Sequence, residues 1–234
     1  MQVVSARTED EREVLLRPAD DDPATAPALA EVHDGPMAGR AGGHDAVAGV
    51  ILAAGEGRRF GGRKQLAELD GRAMLEHVLA LADGAGLRPV VAVVPVWLSR
   101  PATMDDTSAL RWVRNPYPGR GMSHSLRLGF AAVPETVAAA VILLGDQPRI
   151  PLAHIHALIA GRGTRPMVAT AYRDGVGAPT LIERSQFEEV EHPRGDTGLR
   201  ELLNARPELV LRIPLPGEPV DVDTLADLER LRGG

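Results

Sequence analysis

From Val47 onward, short and wholly apolar runs alternate with longer amphipathic ones, and that alternation dictates a sheet of mostly parallel strands covered by helices. Two of the runs, Val47 to Leu52 and Ala138 to Leu144, carry no polar side chain. Strands of that kind are buried on both faces and belong in the middle of such a sheet. Further strands are predicted over Pro89 to Val94, Leu110 to Val113, Met167 to Ala171, Pro179 to Ile182 and Leu209 to Ile213. Helices are expected over Met74 to Ala82, Ser123 to Ala132, Leu152 to Ala160, Gln186 to Glu191, Thr197 to Asn204 and Leu225 to Leu231.

The first 45 residues read differently. They hold ten acidic residues and four arginines, so their balance of −6 equals the net charge of the whole chain. With few large apolar side chains they cannot offset the entropy of ordering. We expect a disordered acidic tail over residues 1–45, with a short helix over Asp10 to Leu16, and a single α/β domain over 46–234. That domain carries 22 basic and 22 acidic residues, the totals of 26 and 32 less the four and ten of the tail. A neutral body has no global field to attract nucleic acid or an anionic membrane. The seven aromatics are scattered and form no stacking platform. Cysteine is absent, which excludes disulfides and thiolate chemistry and fits a cytoplasmic protein. No export signal is read near the N-terminus, and the longest apolar runs fall far short of a membrane span.

The first apolar run leads directly into Leu52-Ala-Ala-Gly-Glu-Gly-Arg-Arg-Phe-Gly-Gly-Arg-Lys64. This sets Gly55, Gly57, Gly61 and Gly62 at the carboxyl end of a central strand, where open α/β sheets bind ligands. Glycines there permit positive φ, and successive backbone N–H groups can form a concavity for phosphate. Lys64 is the one lysine among 26 lysine and arginine residues, and its compact ammonium is not interchangeable with the planar arginine fork. Arg58, Arg59 and Arg63 alone would equally suit a solvated basic turn. Two familiar phosphate loops fail here. Gly57 and Gly62 satisfy the glycines of a P-loop, but Arg63 and Lys64 stand where it needs Lys and Ser or Thr; the dinucleotide fingerprint needs glycine where this chain has Phe60.

Leu144-Gly-Asp-Gln-Pro148 ends the other buried strand with a carboxylate. Alone, Asp146 would be read as a turn or cap residue; in the crevice of the glycine loop it suits a hard cation that offsets phosphate charge. In Val220-Asp-Val-Asp-Thr224 the alternation sends Asp221 and Asp223 to one face, and Thr224 can cap the final helix. A further segment, Asn115 to Gly129, enters a helix for which Ser123 is the expected cap, with His124 read as a surface residue. His154 and His156, two apart on a helix, point away from each other and suggest no transition-metal site.

Five of these segments, in this order, resemble the nucleotidyltransferases of the molybdenum cofactor type, and more narrowly the molybdenum cofactor cytidylyltransferases. The matches are Leu-Ala-Ala-Gly-x-Gly-x-Arg-Phe-Gly-x-x-Lys, Asn-Pro-x-x-x-x-Gly-Met-x-x-Ser-Leu, Gly-Asp-Gln-Pro, Gly175-Val-Gly-Ala-Pro-Thr and Gly195-Asp-Thr-Gly-Leu-Arg200. The resemblance implies a Rossmann-like three-layer nucleotidyltransferase fold with a mostly parallel central sheet. It implies that Leu52, Ala53, Ala54, Gly55 and Gly57 bind the donor nucleotide, with Arg59 and Lys64 on its phosphates. Gly121, Met122 and Ser125 would face the base, and Asp196 and Arg200 the acceptor. Asp146 would be the first ligand of Mg²⁺, with Asp221 favoured as its partner and Asp223 in reserve. The chain departs from the family at Ala178, which stands in place of a histidine, and at Thr224-Leu-Ala-Asp-Leu, where the family continues Thr-Pro-Glu-Asp-Leu.

The activity so implied is magnesium-dependent transfer of CMP from CTP to molybdenum-molybdopterin cofactor with release of pyrophosphate. Lys64, Arg59 and Asp146 would carry catalysis, and a client molybdoenzyme would receive the product. Neither nucleic acid nor membrane is an expected partner. The alternatives are the same fold using GTP or a different phosphate acceptor, and a protein that carries the cofactor without catalysis. Ala53-Ala54-Gly55 resembles the cytidylyl branch.

Overall fold

A computed structural model describes residues 32–33, 46–101, 109–191, 198–217 and 220–233. The helix expected over Asp10 to Leu16 and the candidate residue Asp196 lie outside them. The elements run β1 (Val32–His33), β2 (Val47–Leu52), β3 (Glu68–Leu69), β4 (Arg72–Ala73), α1 (Met74–Gly84), β5 (Val90–Pro95), β6 (Leu110–Asn115) and α2 (Met122–Ala131). They continue with β7 (Ala139–Leu144), α3 (Leu152–Ala160), β8 (Met167–Tyr172), β9 (Gly175–Glu183), α4 (Phe187–Glu191), α5 (Leu199–Ala205), β10 (Val210–Pro214) and α6 (Leu225–Arg232).

Eight strands form one sheet in the order β1-β6-β5-β2-β7-β9-β8-β10. The run β6-β5-β2-β7 is parallel, as is β8-β10. This is the expected α/β architecture with a mostly parallel sheet. Against it stands β9, which is antiparallel to both neighbours. The link from β8 to β9 is only Arg173-Asp174, and so short a link closes a hairpin, since a parallel crossover needs a dozen residues or more. Of the acidic segment, Val32–His33 pairs antiparallel with Val113 and Trp112 at the edge of the sheet. No described helix is long and apolar enough to cross a membrane.

The period-2 alternation of β2 distributes its side chains over two cores. Ala48, Val50 and Leu52 pack on one face with Leu126 and Phe130 of α2 and Leu199 and Leu203 of α5. Ile51 faces the other, with Leu75, Val78 and Leu79 of α1 and Ile155 and Leu158 of α3. Gly129 lets α2 sit directly on the sheet, because a Cβ there would fall 2.6 Å from Val50 Cγ1. A smaller cluster of Phe60, Leu69, Met74, Val222 and Leu228 ties the glycine loop to α6.

Candidate active site

The chain leaves β2 for β5 and β6 on one side, then returns through α2 to β7 on the other. That reversal opens a crevice at the carboxyl ends of β2 and β7, the place where such sheets take their ligands. Leu52, Ala53 and Ala54 are buried at the end of β2. Beyond them Gly57, Gly61, Gly62 and also Arg63 adopt positive φ. These positions break the loop into two 3-10 turns, Arg58–Phe60 and Lys64–Leu66. Gly55 is exposed, with open space where a side chain would project. Phe60 anchors the first turn in the small cluster. Buried Gln65 fastens the second, its Nε2 donating to the carbonyls of Ala53 at 2.7 Å and Gly55 at 2.8 Å.

Gly145 brings the β7 turn against this loop. Its N–H donates to Leu52 O at 2.9 Å, and a Cβ on it would lie 2.7 Å from Ala53 Cβ and 3.1 Å from Ala53 Cα. The Gly145→Ala variant must therefore push the two strand ends apart. We expect it to lose about 1–3 kcal/mol of stability from overpacking and about 10²-fold in turnover, the order of effect of a ~1 Å misplacement in an active site. Denaturant midpoints and steady-state rates check both. The C-terminal segment docks on the same turn, Val222 N–H donating to Asp146 O at 3.0 Å.

The charged groups meet there. Lys64 Nζ lies 2.7 Å from Asp146 Oδ2 and 3.5 Å from Asp223 Oδ1, and Arg59 Nη2 lies 2.8 Å from Asp223 Oδ2. The lysine stem packs on Gly57, where a Cβ would be 3.3 Å from Lys64 Cγ. Gln147 Nε2 donates to Asp221 Oδ1 at 2.8 Å. Asp221 is exposed at its rim, yet enclosure by surrounding protein pushes its carboxyl pKa up. The Gln147 hydrogen bond and the Lys64 charge oppose that rise, while the charges of Asp146 and Asp223 add to it.

A divalent cation fits this chemistry. The donors are carboxylate oxygens, and Asp146 Oδ1 is buried without a hydrogen-bond partner among the described residues. Among the described residues no group of three or more His, Asp or Glu side chains is poised to hold a metal. One or two carboxylates completed by phosphate and water oxygens are a common way of holding Mg²⁺.

The remaining candidates are dispersed. Gly121, at φ 81° and ψ 179°, leads into α2, Met122 is 41 % exposed, and the buried Ser125 hydroxyl accepts from Asn115 Nδ2 at 3.0 Å. Two expectations are corrected. The helix begins at Met122 with Gly121 before it, so Ser123 is not the cap but a fully buried residue of the first turn. His124 is not a surface residue: it packs edge-on to Tyr117, buried, and burial together with the charges of Arg127 and Arg120 lowers its pKa. Arg200, on α5, is exposed and pairs with Asp174 at 3.2 Å. Thr224 does cap α6, its hydroxyl accepting from Asp227 N–H at 3.2 Å, with Asp227 completing the capping box.

The sequence reading missed Gln65, Gln147 and Tyr172. Tyr172 donates its hydroxyl to Ala178 O. Its pKa is pushed up to about 12 by burial and by the charge of Asp221, with Arg200 acting in the opposite sense. Tyr172 is thus near enough to Asp221 and Arg200 to feel both charges. Its adjacency to a Gly-x-Gly strand carried no signal; the two glutamines were visible only as neighbours of Lys64 and Asp146.

A phosphate-type loop and a strand-end carboxylate facing each other across the switch point of a three-layer sheet define a nucleotide-handling α/β protein. Residues 49–210 match the model of the MobA-like NTP transferase domain, and the chain belongs to that family. It is 27 % identical over 205 residues to the purine catabolism protein PucB of Bacillus subtilis (strain 168), covering 79 % of this chain and 95 % of that one. It is 28 % identical over 197 residues to the nicotine blue oxidoreductase of Paenarthrobacter nicotinovorans, covering 79 % and 96 %. Among solved structures, Rv0371c of Mycobacterium tuberculosis H37Rv superimposes with a TM-score of 0.70 at 30 % identity, over 81 % of this chain and 99 % of that one. Rv0371c has also been solved in complex with manganese, a structure that superimposes with a TM-score of 0.68 at 29 % identity over 81 % and 98 % of the two chains.

Proposed function

We propose that this protein is a divalent-metal-dependent cytidylyltransferase that transfers CMP from CTP to the terminal phosphate of a molybdopterin-type acceptor and releases pyrophosphate. One observation carries the reading: a positive-φ glycine loop, Lys64, Arg59 and the carboxylates Asp146, Asp221 and Asp223 converge at the ends of β2 and β7. Family membership and the manganese complex of Rv0371c support it.

In this reading the loop N–H groups, Arg59 and Lys64 bind the triphosphate, and Lys64 leaves Asp146 to do so. Asp146 and Asp221 hold Mg²⁺ or Mn²⁺, with Asp223 as the reserve carboxylate; the cation supplies neutralisation of phosphate charge. Gly121, Met122 and Ser125 line the base side. Asp196 and Arg200 receive the acceptor, whose phosphate oxygen attacks the α-phosphorus in line as pyrophosphate leaves. No protein nucleophile takes part, so positioning and electrostatics carry the rate. A client molybdoenzyme would take the product in the cytoplasm.

Pyrophosphate release, measured with each of the four nucleoside triphosphates, Mg²⁺ and a phosphate-terminated pterin acceptor, tests the assignment. CTP is expected to turn over fastest. Equal turnover with GTP would remove the base preference. Release supported by another phosphate acceptor but not by the pterin would move the reaction to a different substrate. Normal cofactor delivery in cells carrying an inactive Asp146→Asn variant would favour a carrier without catalysis.

A further inference from the structure

We infer that Gln147 is a positioning residue that presets Asp221 as a cation ligand, an inference that rests on the metal-dependent reading above. Gln147 is 5 % exposed and is fixed at both ends: its backbone N–H donates to Leu144 O at 3.2 Å, and its Nε2 donates to Asp221 Oδ1 at 2.8 Å. The amide has one workable orientation, because reversal would set the lone pairs of Oε1 against the carboxylate. Its Oε1 is buried, and the side chain also lies beside the Tyr172 hydroxyl. Groups that hydrogen-bond a metal ligand fix its orientation and contribute strongly to metal affinity.

The two carboxylates are held in different ways. Asp146 is paired with Lys64, a cation that the triphosphate draws away. Asp221 is paired with a neutral amide, which has no reason to leave when phosphate arrives. Gln147 therefore keeps one ligand in place while the other changes partners. It also joins the two acidic segments, being the residue next to Asp146 and in contact with Asp221, a segment 74 positions further along the chain.

The test is Mn²⁺ binding followed by electron paramagnetic resonance, in the presence of a non-hydrolysable CTP analogue. Gln147→Met removes the donor at similar volume; Gln147→Asn keeps an amide one methylene too short to reach Asp221. Both are expected to weaken Mn²⁺ binding about 10–100-fold, with binding of the analogue in the absence of metal unchanged. Neither should weaken Mn²⁺ further in an Asp221→Asn background, a result that a merely structural role would not give. Wild-type Mn²⁺ affinity in the single variants would overturn the inference and leave the proposed function standing. Failure of the wild-type protein to bind Mn²⁺ with the analogue would instead overturn the proposed function.

Discussion

Lys64→Arg is expected to lower kcat about 10²–10³-fold, the size of effect seen when one preorganised charge-stabilising donor is lost, even though the charge is kept. The lysine stem is confined against Gly57, its side chain is 13 % exposed, and its ammonium sits between Asp146 and Asp223. A guanidinium is wider and planar and cannot occupy that slot as a point charge. Lys64→Met should cost at least as much in turnover and should also do something less intuitive. By removing the cation 2.7 Å from Asp146, it should tighten Mn²⁺ binding in the absence of nucleotide while weakening binding of CTP. Steady-state rates and separate metal and nucleotide titrations check the three effects. Near-normal turnover in Lys64→Arg would show that the ammonium contacts no reacting phosphate.

Asp146→Asn is expected to abolish measurable transfer, by about 10³-fold or more. Charge stabilisation by a bound cation amounts to several kcal/mol, and each 1.36 kcal/mol is about tenfold in rate. The fold should survive, since the shape is kept and Val222 still donates to the backbone carbonyl of residue 146. Nucleotide should still bind through the loop and the released Lys64. Loss of turnover with retained nucleotide binding and an unchanged unfolding midpoint is the expected pattern. Retained turnover would remove Asp146 from the reaction.

The sheet was legible in the sequence wherever one strand satisfies its own pattern. Val47–Leu52 and Leu152–Ala160 have the bounds read from periodicity, because continuous burial and a helical stripe each leave a strong local signal. The hairpin β3-β4 left almost none: its strands are two residues each, too short to show alternation. Its cue was the turn Asp70-Gly71, where both residues have positive φ as a tight hairpin requires. The first half of β9 was hidden by Gly175 and Gly177, which weaken a strand pattern, although a Cβ on the latter would fall 3.3 Å from Tyr172 Cε2.

At the site, loop chemistry and family likeness point to Lys64 and Asp146, with Asp221 favoured and Asp223 in reserve. The structure draws Lys64, Asp146 and the reserve Asp223 into one ion-pair network, while Asp221 is bound by Gln147. What no local pattern encodes is who restrains them. Gln65 and Gln147 act on groups 12, 10 and 74 residues away, so their roles exist only after folding. His124 misled for the same reason, since a polar residue at a helix start reads as exposed until tertiary packing buries it.

The most direct test of the central claim, that the crevice between β2 and β7 holds metal and nucleotide together, is a crystal structure with Mn²⁺ and a non-hydrolysable CTP analogue. Anomalous scattering should place Mn²⁺ against the Asp146 and Asp221 carboxylates, with the triphosphate over Gly55 to Gly62 and Lys64 moved from Asp146 onto a phosphate oxygen. Nucleotide bound elsewhere, or Lys64 still paired with Asp146 and no Mn²⁺ between the carboxylates, would contradict it.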